Sequence, residues 1–290
     1  MVQHVVDLLR PVLKVYHRTE VHGLERIPAG RCLLVGNHSG GLLTPDFAIL
    51  AVDYYQRFGY DRPLYALGHD SMFHGPGADI LPYLGVIQAN PENAAVALAT
   101  ECPVMVYPGG DMDVYRPTVV ENVIDFAGHT GYVDTAVAAR ATIVPVVSIG
   151  GQETQMFLSR GTWLARALRL DRFERRLLRT DILPVSFGFP FGLSVLLPVN
   201  MPLPSKIISE VLEPIDVAQW GANPDPVKLD GRIRRVMQAE LDRLARRTHP
   251  AGDASRAGQA GTPPPVADYR LTSLSEKCTV DRSGHLVNMW

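Results

Sequence analysis

Leu33-Leu34-Val35-Gly36-Asn37-His38-Ser39-Gly40-Gly41-Leu42-Leu43-Thr44-Pro45-Asp46 is the stretch that decides how this chain reads. Cys32 to Val35 is an apolar run of the length of a buried strand. It ends in a glycine, then Asn37-His38, then a Gly-rich loop. The loop closes on Thr44-Pro45-Asp46. Thr44 suits an N-cap, Pro45 the first helical position and Asp46 the first turn. The pattern predicts a strand, a loop carrying His38, and a helix that begins beside Asp46. In parallel α/β sheets that edge is where sites gather. A neutral imidazole there can take a proton from an attacking hydroxyl. A carboxylate on its other ring nitrogen fixes the tautomer and stabilises the imidazolium that forms. The plainer alternative is a polar loop histidine, with Asp46 only complementing the helix dipole. Spacing alone leaves both open.

Two later strands end in the same way. Val104 to Tyr107 runs into Pro108-Gly109-Gly110-Asp111, and Ile143 to Ile149 runs into Gly150-Gly151-Gln152-Glu153. Glycines after a strand allow close backbone approach to a ligand and offer N–H groups to an oxyanion. The alternative at Gly109-Gly110 is an ordinary tight turn. Three such ends on one rim would make a cleft. Arg116 is the only Lys or Arg between Arg62 and Arg140. It either pairs with Asp111 or Asp113 or touches an anionic part of a substrate.

Around these strands the chain alternates with helical patterns, as an α/β domain with a mostly parallel sheet requires. Residues 2–16 are amphipathic, with Pro11 at a kink. This helix either packs on the domain or lies on a membrane. Helices are expected at 45–57, from Asn90-Pro91-Glu92, at 122–140 and at 224–247. Strands are expected at 64–67 and 206–212, with a strand or turn at 19–28 and an apolar, Gly-bent loop at 68–85. The organisation is an N-terminal helix (1–18), one α/β domain (19–248) and a disordered tail (249–290), rich in Ala, Gly, Ser and Pro at its start.

At 290 residues and 46% hydrophobic content there is ample material for a core. A formal charge of −2 gives no general attraction to nucleic acid. Cys32, Cys102 and Cys278 have neither metal spacing nor a paired framework, which fits a reducing compartment. His4, Asp7, Arg10 and Lys14 interrupt the N-terminal apolar residues, against a signal peptide. Residues 182–205 carry no charge but are divided by five prolines, so a continuous spanning helix is not expected. They are either core and loop or a bilayer-facing stretch. The preceding segment, 156–180, is rich in Arg and bulky apolar residues. It reads equally as a membrane-surface segment or a solvated helix face.

The order of these motifs resembles the glycerolipid acyltransferase family, which includes the lysophosphatidic acid acyltransferases. It is most similar to the branch related to diacylglycerol acyltransferases. Val35-Gly36-Asn37-His38 looks like the family's first block. Phe73 to Asn93 resembles the second, Val106-Tyr107-Pro108-Gly109-Gly110 the third, and Ile143 to Glu153 the fourth. The segment from Pro202 to Ile215 resembles the family's closing stretch, so the similarity spans about residues 15–245. Two departures stand out. The family places four residues between His and Asp, where this chain has Leu43; its nearest carboxylate is Asp46, with seven between. The third block has Gly109 and Met112 where the family has a Glu and an Arg that help hold an acceptor's phosphate.

The resemblance implies an O-acyltransferase with His38 as general base and Asp46 as its orienter. Asn37, Tyr107, Pro108, Gly109, Gly110, Arg116 and Glu153 are the implied substrate-binding residues. Acyl-CoA or an acyl carrier protein would be the donor, with no metal or other cofactor. The acceptor would be a glycerolipid. Loss of the third-block charges points to a neutral one, such as mono- or diacylglycerol; a lysophosphatidic acid-type acceptor is the alternative. The partner surface would be a membrane, met through residues 156–205 and the N-terminal helix, on the cytoplasmic inner face. Two rival classes are an esterase using Ser39 and a non-catalytic lipid-binding protein of the same fold.

Overall fold

The structure is a computed structural model. It describes residues 1–39, 45–74, 78–120, 122–162, 183–195, 200–221 and 224–248. The expected N-cap Thr44, most of the Arg-rich segment (163–182) and the tail (249–290) lie outside the described residues. Residues Met1–Ala245 form one compact unit; of the second, only Arg246–Thr248, the last turn of a helix, is described.

The strands of the main sheet are β1 (Glu20–His22), β2 (Cys32–Gly36), β3 (Tyr65–Gly68), β4 (Val86–Gln88), β5 (Pro103–Val106), β6 (Thr142–Ile149) and β10 (Ile208–Val211). Their order is β1-β10-β6-β2-β5-β3-β4. The five from β6 to β4 run parallel, while β10 is antiparallel to β6 and β1 follows β10. The sheet is thus mostly parallel, as expected. Every residue of β2 is buried, because helices cover both faces. Side chains alternate accordingly. Leu33 and Val35 join the core with α3 (Pro91–Ala99), α5 (Gly131–Ala139) and α6 (Pro226–Thr248), whereas Cys32 and Leu34 face α1 (Val2–Pro11) and α2 (Asp46–Phe58).

The N-terminal helix passes Pro11 into one π turn, Val12–Tyr16. Val6 and Leu13 are buried in the core against α2, and Lys14 Nζ reaches Asp53 at 2.7 Å. Leu8, Val12 and Val15 on the same segment are exposed. Packing and outward apolar exposure therefore coexist on this helix. The expected helix over 122–140 is confined to Gly131–Ala139. Asn122, Ala127 and Gly128 hold positive φ, which no helix accommodates. The apolar loop at 68–85 contains two short 3₁₀ turns, and β4 follows it.

A second, antiparallel sheet joins the start of the Arg-rich segment to the uncharged, proline-divided stretch. It consists of β7 (Met156–Ser159), β8 (Val185–Gly188) and β9 (Gly192–Val195). Phe157 is buried opposite Ser186. Ser186 is buried and bonded to Ser194 at 2.8 Å on one face. Met156, Phe187 and Leu193 are cross-strand neighbours, and all three are exposed. Phe189 and Phe191, between β8 and β9, are 70% and 66% exposed.

Candidate active site

β2 lies between β5 and β6 and is parallel to both, with Val35 opposite Val106 and Pro145. The chain therefore leaves all three strands at one edge. Asn37-His38-Ser39 stands in the middle, Tyr107-Pro108-Gly109 on one side and Gly150-Gly151-Gln152 on the other. The sequence expectation that these three ends share a rim holds.

Each residue of the central tripeptide has an anchor on a different element. The Asn37 side-chain amide donates to Ser148 O and accepts from Ser148 N–H, both at 2.9 Å. The His38 backbone N–H donates to Asp113 Oδ2 at 2.7 Å. Ser39 donates its N–H to Asp46 Oδ2 at 3.0 Å and its hydroxyl to Asp46 Oδ1 at 2.5 Å. The His38 ring then places Nδ1 3.5 Å from Asp46 Oδ2. That is an ion-pair distance rather than a closed hydrogen bond, and catalytic hydrogen bonds are often long before substrate binds. The Asp46 side chain is 1% exposed and that of His38 is 15% exposed. Asp46 opens α2, where the helix dipole favours its negative charge.

The ring plane of His38 is set by Tyr107, stacked at 4.1 Å between centroids and 11° between planes. Gly36 makes room for this. A Cβ there would meet Met105 Cε at 2.3 Å and Tyr107 Cε1 at 2.8 Å. Burial, reinforced by the Asp46 charge, holds the Tyr107 hydroxyl well above its ordinary pKa, so it stays neutral. Gly151 closes the opposite side; a Cβ there would come within 2.0 Å of Ser39 Oγ.

Several expected substrate contacts are placed otherwise. Asn37 is buried with its amide committed to Ser148, so it clamps β2 to β6 rather than facing a ligand. Arg116 is buried and bonded to Asp113 and to the Val123 carbonyl. Of the two alternatives for that cation, the salt bridge is the one observed. Gly109 is the N-cap of the short helix α4 (Gly110–Val114), and the Gly110 N–H donates to Tyr107 O at 3.1 Å. That N–H belongs to a turn, against an oxyanion role for it. Pro108 O accepts from His129 Nδ1 at 2.8 Å. Glu153 is exposed on the 3₁₀ turn after β6. Two residues that the sequence offers only in other roles also touch the site: Ser39, a rival nucleophile, and Asp113, a partner for Arg116. Ser39, buried and donating to Asp46, is an anchor of the carboxylate.

A family model described as Acyltransferase matches residues 18–149. Over that span the chain is similar to the acyltransferase family. Its matched span runs from before β1 to the end of β6, so His38, Asp46, Tyr107, Asp113 and Arg116 all lie inside it. The solved 1-acyl-sn-glycerophosphate (LPA) acyltransferase PlsC of Thermotoga maritima shares the fold at a TM-score of 0.54 and 14% identity, over 84% of this chain and 79% of that one. An uncharacterized protein of Mycobacterium tuberculosis is 30% identical over 247 residues, 83% of this chain. The chain spans 65% of the length of that relative and of its Mycobacterium bovis counterpart. A Mus musculus protein named "DGAT1/2-independent enzyme synthesizing storage lipids" is 25% identical over 199 residues, 68% of this chain and 57% of its own. The resemblance to glycerolipid acyltransferases carried by the ordered blocks stands with these matches.

Proposed function

We propose that this chain is an acyltransferase that moves a fatty acyl group from a thioester donor, acyl-CoA or an acyl carrier protein, to a hydroxyl of a glycerolipid. The observation that carries the reading is His38 Nδ1 at 3.5 Å from the buried Asp46 carboxylate, where three strand ends meet. An Nδ1–H facing Asp46 leaves the lone pair on Nε2. Nε2 takes the acceptor's hydroxyl proton as the oxygen attacks the thioester carbonyl. The C–S bond then breaks, and the imidazolium returns its proton to the departing thiolate. Ester and thiol are the products, with no acyl-enzyme. Arg116, the nearby cation an acceptor phosphate would want, is already bonded to Asp113, which supports a neutral acceptor. The mouse relative, named for making storage lipids, supports the same direction.

The reading includes a membrane surface on the cytoplasmic side. No helix among the described residues is long and apolar enough to cross a membrane. The outward apolar face of β7–β9 supports surface contact instead. A bond from Tyr16 Oη to Pro202 O at 2.7 Å also ties the N-terminal segment to the stretch after β9. Val12 and Val15 before Tyr16, and Met201 and Leu203 flanking Pro202, are exposed. Apolar side chains of this kind bury favourably at a lipid interface.

The test is transfer of labelled acyl groups from acyl-CoA to a panel of acceptors on lipid vesicles. Label in the esters of mono- or diacylglycerol is expected. A preference for lysophosphatidic acid would overturn the neutral acceptor; release of free fatty acid alone would overturn transfer itself.

A further inference from the structure

Asp113 is completely buried, and its two oxygens look in different directions. Oδ2 accepts the His38 backbone N–H at 2.7 Å, and Oδ1 pairs with Arg116. Arg116 is itself buried and donates its other terminal nitrogen to the Val123 carbonyl. Gly109 leaves space for the carboxylate, since a Cβ there would stand 2.6 Å from Asp113 Cβ. A buried ion pair is weak evidence for stability, because apolar residues of similar volume often serve as well or better. Its position here is the informative feature: it ends on the main chain of the base.

We propose that Asp113 is a positioning residue for His38, holding its backbone from α4 while Asp46 holds its ring from α2. The inference rests on the acyl-transfer reading for its kinetic consequence. The imidazole is thereby fixed at both ends, with Tyr107 setting its plane. Arg116 keeps the carboxylate ionised and oriented, a role quite different from binding an acceptor's phosphate. The local charges agree. Burial pushes the Asp113 carboxyl up to about 6, against the pull of Arg116 and His38 and with a smaller push from Asp46. A carboxylate kept buried despite that cost, beside a proton-transfer residue, fits a functional arrangement.

The test is the double variant Asp113→Leu/Arg116→Met, which replaces the ion pair by apolar groups of similar size. Such replacements are often neutral for stability. The His38 N–H loses its acceptor while the fold is kept. The expected result is a kcat about 10- to 100-fold lower, as small misplacements of catalytic groups produce, with KM for both substrates within about twofold and a near-native melting temperature. Asp113→Asn, which keeps a neutral acceptor, should lose less. A second readout is independent of activity. With ¹⁵N-histidine labelling, nine backbone amides are visible. The one lost in His38→Gln should lie downfield in the wild type and move upfield in the double variant. A folded double variant with wild-type kcat, or an unmoved His38 amide signal, would overturn the proposal. If the double variant does not fold, Asp113→Asn decides by the same two readouts. If the wild type transfers no acyl group to any acceptor, the transferase reading fails while the amide signal still judges the contact.

Discussion

Ser39 donates both its backbone N–H and its hydroxyl to Asp46, at 3.0 and 2.5 Å, so the residue after His38 holds the carboxylate that faces the His38 ring. This explains how seven intervening residues between His38 and Asp46 still deliver a close pair. The loop sets the chain length, but Ser39 sets the carboxylate. Ser39→Ala removes one hydrogen bond to a charged group, worth about 1.5–3 kcal/mol. A kcat about tenfold lower is expected in a steady-state assay, with transfer retained. Complete loss in a folded variant would point to a nucleophilic role for Ser39 instead.

Gly151 abuts the same residue from the 3₁₀ turn after β6. Its backbone has no positive φ, so the constraint is steric: a Cβ would lie 2.0 Å from Ser39 Oγ and 2.9 Å from Ser39 C. Gly151→Ala should lower stability by about 1–3 kcal/mol, as overpacking does, and should lower activity further by displacing Ser39. Denaturant unfolding and initial rates measure the two effects separately. A variant with both unchanged would show that this contact is slack.

Asp113 carries a pH signature. Its folded value, about 6, lies above its ordinary 3.8. Between those values the folded chain holds a proton that the unfolded chain has released. The stabilisation tied to this proton is full below about pH 4 and is lost as pH rises through about 6. Unfolding free energies of wild type and Asp113→Asn, compared from about pH 4 to 7, should show wild type losing ground to the variant as pH rises. A gain with pH would reverse the sign and contradict the burial argument.

The exposed faces of β7–β9 and the loop after β8 make a separate prediction. Phe187→Ser with Leu193→Ser removes two outward apolar side chains without touching the buried Ser186–Ser194 face. Vesicle co-sedimentation should weaken by about tenfold or more, given roughly 1.5–3 kcal/mol for a fully buried large apolar side chain, while thermal stability stays close to wild type. Undiminished sedimentation would remove this sheet from the membrane contact.

The parts of the fold legible in the sequence were those with a local cause. Cys32–Gly36 and Thr142–Ile149 are apolar runs ended by glycine, and both are buried strands. Asn90 caps α3 by accepting the Asn93 N–H, as an Asn-Pro-Glu start implies. The second sheet was hidden because prolines divide its stretch and because Met156, Phe187 and Leu193 face outward, so apolar content gave little inward signal. The helix expected from 122 fails where Asn122 and Ala127 adopt positive φ, a backbone choice their side chains do not announce. At the candidate site, the closeness of His38 and Asp46 was readable from the motif and the helix start. Asp113 was not, because its contact is with a backbone N–H 75 residues away.

The most direct measurement is acyl transfer from labelled acyl-CoA to a neutral glycerolipid, compared between wild type and His38→Ala. If His38 is the base, the variant should fold normally, bind donor as before and lose about 100-fold or more of its kcat, in line with removal of a general base. Transfer at the wild-type rate in His38→Ala would contradict the account at its centre.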